Sequence, residues 1–136
     1  MNYYDFALKD YKSAQTMYKY TDEYDIIVVS CQQYLEKALK YLLEINLGEL
    51  NKTHKLTTLA HKLNIEYFNK YTAFFRQVQD YYFDKRYPSE DYITTTKEEA
   101  EYVFTLTTEI KEYMENNLIH GLDSKLKRST SFNDLI

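Results

Sequence analysis

Apolar residues recur along most of this chain at alternating steps of four and three, the spacing that lines side chains along one face of a helix. The strongest run is Tyr24, Val28, Cys31, Leu35, Ala38, Leu42 and Ile45, which predicts a central helix over residues 22–47. At ~1.5 Å per residue it would be about 40 Å long, the longest element of the chain. Thr21-Asp22-Glu23 offers an N-cap followed by acids in the first turn, and Leu47-Gly48 offers a left-handed stop. Away from the stripe, Glu36 and Lys40 form an i,i+4 acid-to-base pair that reads as a face content in water.

The flanking segments repeat the pattern. Tyr4, Ala7, Tyr11, Ala14 and Tyr18 predict a first amphipathic helix over 3–20. Thr53 is positioned to cap a short helix carrying His54, Leu56, Leu59, Ala60 and Leu63, and Asn64 to cap the next, with Phe68, Tyr71, Phe75, Val78 and Tyr82 as its stripe. Pro88 and the polar residues from Asp84 to Asp91 then break the periodicity, and a loop is expected to about Thr95. Thr96-Lys97-Glu98-Glu99 has the form of a capping box, so a last helix begins at Lys97 with Ala100, Val103, Thr107, Ile110 and Met114 inward. From His120 the periodicity fades. The expected organisation is a helical bundle over 1–119 and a polar, mobile tail over 120–136. Long stripes joined by short connections point to an all-α fold, an antiparallel four-helix up-and-down bundle with one additional short helix.

Composition narrows this further. Two Gly and one Pro in 136 residues supply too little turn chemistry for a many-stranded β fold. No apolar run is long enough for a membrane span, the polar N-terminus has no signal-peptide pattern, and the single Cys agrees with a reducing compartment, so a cytoplasmic protein without membrane contact is expected. The net charge of −4 is spread along the chain and provides no whole-molecule attraction to nucleic acid, leaving only local patches. Sixteen Tyr with no Trp suit bundle rims, subunit interfaces and base stacking alike.

Candidate chemistry is sparse. His54 and His61 are two helical turns apart, too far to share a metal ion, and neither a His pair at i,i+4 nor a Cys cluster is present, so no metal and no cofactor are expected. Cys31 falls in the apolar stripe and reads as core filling. The segment Tyr81-Tyr82-Phe83-Asp84-Lys85-Arg86-Tyr87-Pro88 joins a guanidinium, an ammonium and several rings at a helix-to-loop junction. A guanidinium forks onto phosphate and rings stack on bases, which suits a nucleotide or single-stranded RNA. Taken by themselves, the same residues suit somewhat better a structural corner in which Arg86 pairs with Asp84 or a helix C-terminus, and His54 a local first-turn hydrogen bond.

Gln33-Tyr34-Leu35-Glu36-Lys37-Ala38-Leu39-Lys40, Thr53-His54-Lys55-Leu56 and Arg86-Tyr87-Pro88, in that order, resemble the HEPN superfamily of small prokaryotic helical proteins. The resemblance spans about Tyr4 to Met114. It implies a four- or five-helix bundle, usually homodimeric, often paired with a minimal nucleotidyltransferase, and associated with nucleotide or RNA binding. Many members resemble metal-independent ribonucleases with an Arg-x(4–6)-His motif. Here Arg76 is followed at the fifth to seventh positions by Tyr81, Tyr82 and Phe83, Arg86 by Asp91, Tyr92 and Ile93, and Arg128 by no His. The usual imidazole is missing, so no catalytic residue is assigned. The resulting expectation is a non-catalytic homodimer serving as nucleotide- or RNA-binding partner in a nucleotidyltransferase-type toxin–antitoxin or defence pair, with His54, Tyr82, Lys85, Arg86 and Tyr87 at the site. A ribonuclease toxin with a degenerate site and a purely structural dimerisation module are the alternatives.

Overall fold

The computed structural model describes residues 2–48, 51–85, 87 and 92–119. Arg86, the Pro88–Asp91 part of the expected loop and the expected tail from His120 lie outside the described residues. In chain order the α-helices are α1 (Tyr3–Tyr20), α2 (Tyr24–Leu47), α3 (Leu56–Leu63), α4 (Thr72–Val78), α5 (Tyr81–Asp84) and α6 (Lys97–Asn117), with a 3-10 helix at Glu66–Tyr71 between α3 and α4. No strand occurs among the described residues, and the fold is all-α. Among the described residues no helix is long and apolar enough to cross a membrane.

Two compact units divide the chain, Met1–Thr105 and Leu106–Ile136, and the boundary falls within α6. In the first unit α1 and α2 form an antiparallel hairpin. Tyr4 near the start of α1 meets Tyr34 and Tyr41 of α2, while Tyr11 reaches Tyr34, with ring centroids 5.7–6.0 Å apart. The buried hydroxyls of Tyr4 and Tyr34 share a hydrogen bond of 3.0 Å, the usual requirement for a tyrosine tip removed from water. Lys37 donates to Asp10 across the same hairpin at 2.6 Å. The start of α1 is closed by a capping box between Asn2 and Asp5.

From Cys31 to Leu43, α2 is buried almost all round, well beyond the expected stripe: Gln32, Tyr34, Glu36, Leu39, Lys40, Tyr41 and Leu43 are buried as well. The ends of the stripe behave differently, with Ile45 exposed and Tyr24 half-buried. Glu36 and Lys40 retain only 7% and 8% of their surface, so the face expected to be solvated lies inside. Gly48 ends α2 at φ 65°, donating its N–H to the Glu44 carbonyl, a conformation that costs a residue without Cβ little.

The third helical segment departs most from its periodicity. Asn64 does not open a helix but closes α3 in the left-handed region at φ 53°, with its N–H donating to the Ala60 and His61 carbonyls. Asn tolerates this conformation better than other residues with a Cβ. The aromatic stripe is then carried by three short pieces, the 3-10 helix, α4 and α5, yet Phe68, Tyr71, Phe75 and Val78 are all buried. Alpha-6 begins at Lys97 as expected, with the Thr96 hydroxyl accepting the Glu99 N–H at 3.1 Å. The Glu99 carboxylate receives the Tyr81 hydroxyl, tying α5 to α6. Phe104 stacks on Tyr11 and Tyr18, and Tyr102 meets Phe74 edge-on. In the second unit, Thr107, Ile110, Met114 and Ile119 are buried, and Lys111 pairs with Glu115 one turn on.

Candidate functional site

A helix buried almost all round must still place the polar residues of its buried stretch, and three of them in α2 are buried at i, i+4 and i+8: Gln32, Glu36 and Lys40. They meet at the Glu36 carboxylate. Gln32 Nε2 donates to Oε1 at 2.9 Å, and Lys40 Nζ donates to Oε2 at 3.0 Å. A buried carboxylate needs this kind of saturation, because an uncompensated charge in the interior costs several kcal/mol.

The third donor comes from the segment ahead of α3. Asn51 Oδ1 accepts the Thr53 N–H and Thr53 Oγ1 accepts the Lys55 N–H, two successive local turns that fold the backbone over α2. Thr53 thus acts two residues ahead of Lys55, the N-cap of α3, and the helix starts later than its sequence suggests. This places His54 Nδ1 2.7 Å from Glu36 Oε2. The His54 side chain is otherwise 62% exposed. The start of α3 is anchored to the far end of α4, where Gln79 Oε1 accepts from both the backbone and hydroxyl of Thr57 at 3.1 and 3.0 Å, and by an exposed Lys55–Asp80 pair.

Rings from α5 and the residues after it complete a cavity of about 280 Å³ lined by Gln32, Gln33, Glu36, His54, Tyr82, Phe83 and Tyr87. Phe83 packs edge-on to both Tyr82 and His54. Of the residues singled out by sequence, His54, Tyr82 and Tyr87 come together here.

Lys85 does not join them. Its ammonium donates to the Ile93 carbonyl at 2.5 Å, lies 3.9 Å from Asp25 Oδ1, and sits over the rings of Tyr81 and Tyr92. Asp25, in the first turn of α2, also accepts the Tyr92 hydroxyl and the backbone and hydroxyl of Thr95. Burial pushes the Asp25 carboxyl up, but the Thr95 and Tyr92 hydrogen bonds and the Lys85 charge outweigh it and hold the group below the usual carboxylate range. The Asp25 hydrogen bond raises the Tyr92 phenol, and burial followed by the Glu99 hydrogen bond raises that of Tyr81 well above its ordinary value. A second cavity of about 580 Å³, lined in part by Lys85, Tyr92 and Ile93, shares Phe83 and Tyr87 with the first.

The chain matches the HEPN domain over residues 2–117. It belongs to the HEPN domain family. No curated protein and no solved structure matches it. The HEPN-like segments of the sequence therefore acquire concrete positions: Glu36 of the α2 motif and His54 of the Thr-His-Lys-Leu turn are hydrogen-bonded to each other, and Tyr87 of the Arg-Tyr-Pro turn lines the same cavity. Gln32, Gln33, Glu36 and Phe83 were not singled out as site residues by sequence reasoning. The signal for Gln32, Glu36 and Lys40 is their four-residue spacing along one side of a helix rich in apolar residues. Among the described residues no three His, Cys, Asp or Glu side chains are grouped to hold a metal ion.

Proposed function

We propose that this HEPN protein is a nucleotide- or single-stranded-RNA-binding subunit that works without catalysis, as a homodimer, alongside a nucleotidyltransferase in a toxin–antitoxin or defence pair. The observation that carries the binding reading is the 280 Å³ cavity in which a hydrogen-bonded polar wall from α2 and His54 faces the rings of Tyr82, Phe83 and Tyr87. Rings stack on bases with about 1–3 kcal/mol each, and amide and imidazole edges supply orientation. Arg86, next to Tyr87 in the chain and outside the described residues, is assigned the phosphate. Lys85 contributes indirectly, by holding the 92–95 segment against Asp25.

The test is a titration of the purified chain with nucleotides and short single-stranded RNA by calorimetry. Tyr87→Ala and Arg86→Ala should each weaken binding about tenfold. Unchanged affinity in both variants overturns the site. Native co-purification of a nucleotidyltransferase supports the pairing, and recovery of the homodimer alone removes it.

One observation favours a second reading, a metal-independent ribonuclease. His54 Nδ1 is fixed by a carboxylate, leaving Nε2 on the open edge of the ring, the arrangement that orients an imidazole for proton transfer. RNA cleavage in the presence of a chelator, lost in His54→Ala, would replace the non-catalytic reading with this one.

A further inference from the structure

The direction of every hydrogen bond in the cavity wall follows from one acceptor. Glu36 Oε2 receives the Lys40 ammonium, so the same oxygen also receives the His54 Nδ1 proton. A neutral imidazole has one N–H, and with it at Nδ1 the other nitrogen carries a lone pair. Nε2 is therefore an acceptor, and it has no partner among the described residues. The second branch runs the same way. Glu36 Oε1 can only accept from the Gln32 amide nitrogen, which turns the Gln32 carbonyl towards Gln33, and Gln33 Nε2 donates to it at 2.6 Å. Ordinarily the orientation of such amides is a free assignment, but here the carboxylate at the root decides both. Gln33 is left with its carbonyl oxygen and its second amide N–H at the end of the chain. Lys40, the one cation in the network, is buried behind Glu36.

The wall thus presents the His54 Nε2 lone pair, with the Gln33 carbonyl and one remaining Gln33 amide N–H, beside the rings of Tyr82, Phe83 and Tyr87, in a space slightly below the ~300–1,000 Å³ typical of drug-sized ligands. A carbonyl edge facing Nε2 would set lone pair against lone pair, whereas an amino group would donate. Resting on the nucleotide-binding reading, we infer that this cavity selects a nucleobase bearing an exocyclic amino group, with His54 Nε2 as the accepting atom.

The experiment compares matched ligands on the full chain at about pH 8, where ordinary imidazole is neutral. AMP is titrated against its N6,N6-dimethyl analogue, and CMP against its N4,N4-dimethyl analogue, each analogue keeping the stacking surface while losing the donor. The amino form of at least one pair should bind about tenfold more tightly. That preference should shrink to about twofold or less in His54→Ala, with helical circular dichroism unchanged, and Gln33→Ala provides an independent second variant. Equal affinity within both pairs, or a preference that survives both substitutions, overturns the selectivity while leaving nucleotide binding standing. Absence of binding by all four ligands overturns the binding reading itself.

Discussion

Two carboxylates on α2 each tie the helix to a distant segment, and they do so to different ends. Glu36 lies mid-helix with its side chain 9% exposed and binds Gln32, Lys40 and His54. Asp25 lies in the first turn with 29% exposed and binds Tyr92, Thr95 and Lys85. The Asp25 cluster gathers Lys85, from the end of α5, together with Tyr92 and Thr95, and what it achieves is to pin the 92–95 segment at the entry to α6. The Glu36 cluster ends in a largely exposed imidazole that lines a cavity. Saturation of a carboxylate is therefore a structural device in one place and, in the other, a means of presenting a ring at a fixed angle and tautomer.

The largest break in this comparison is expected from Glu36→Gln. It keeps the shape of the side chain but leaves the buried Lys40 ammonium without its counter-charge, and a loss of about 3–5 kcal/mol is expected in urea denaturation. A loss under about 1 kcal/mol would mean that Lys40 reaches water and that the pair is not the buried hub described.

Asp25→Asn should cost less, about 1–3 kcal/mol, since it disturbs hydrogen bonds at a partly exposed site. It should also change the acid limb. The Asp25 carboxyl sits below its ordinary value of 3.8 in the fold, so the unfolded chain takes up this proton first as pH falls. The contribution is complete above that value and disappears as pH drops through the depressed one. Thermal melts from pH 6 to pH 2 should therefore show a shallower acid-side decline in Asp25→Asn than in the parent, and parallel curves would contradict the shift.

The smallest stability effect is expected from His54→Ala, under about 1 kcal/mol, because most of the ring is solvated. A melting temperature nearly unchanged, with ligand affinity reduced, would separate presentation from support. A loss as large as that of Glu36→Gln would put His54 with the structural cluster instead.

Much of the fold was legible in the sequence because helix ends are written locally. The spacing of Tyr4, Ala7, Tyr11 and Ala14, the Gly48 stop and the Thr96–Glu99 start all depend on residues within a turn or two, and α1, the end of α2 and the start of α6 fall where they predict. The third segment departs from its pattern at Asn64, a residue able both to cap a helix start and to close a helix end in the left-handed region, and only the packed chain chooses between them. Of the site, His54, Tyr82 and Tyr87 were visible as residue types, but that they converge was not, since nothing local relates residue 54 to residue 36 or 82.

Helical periodicity, family membership and the absence of the usual Arg-x(4–6)-His spacing are all legible along the chain, because each is carried by neighbouring residues. Tertiary structure alone decided that Glu36 and Lys40 are interior. An i,i+4 acid–base pair reads the same whether water or protein lies over it, and here the turn Asn51–Lys55 folds across α2 and replaces water with His54.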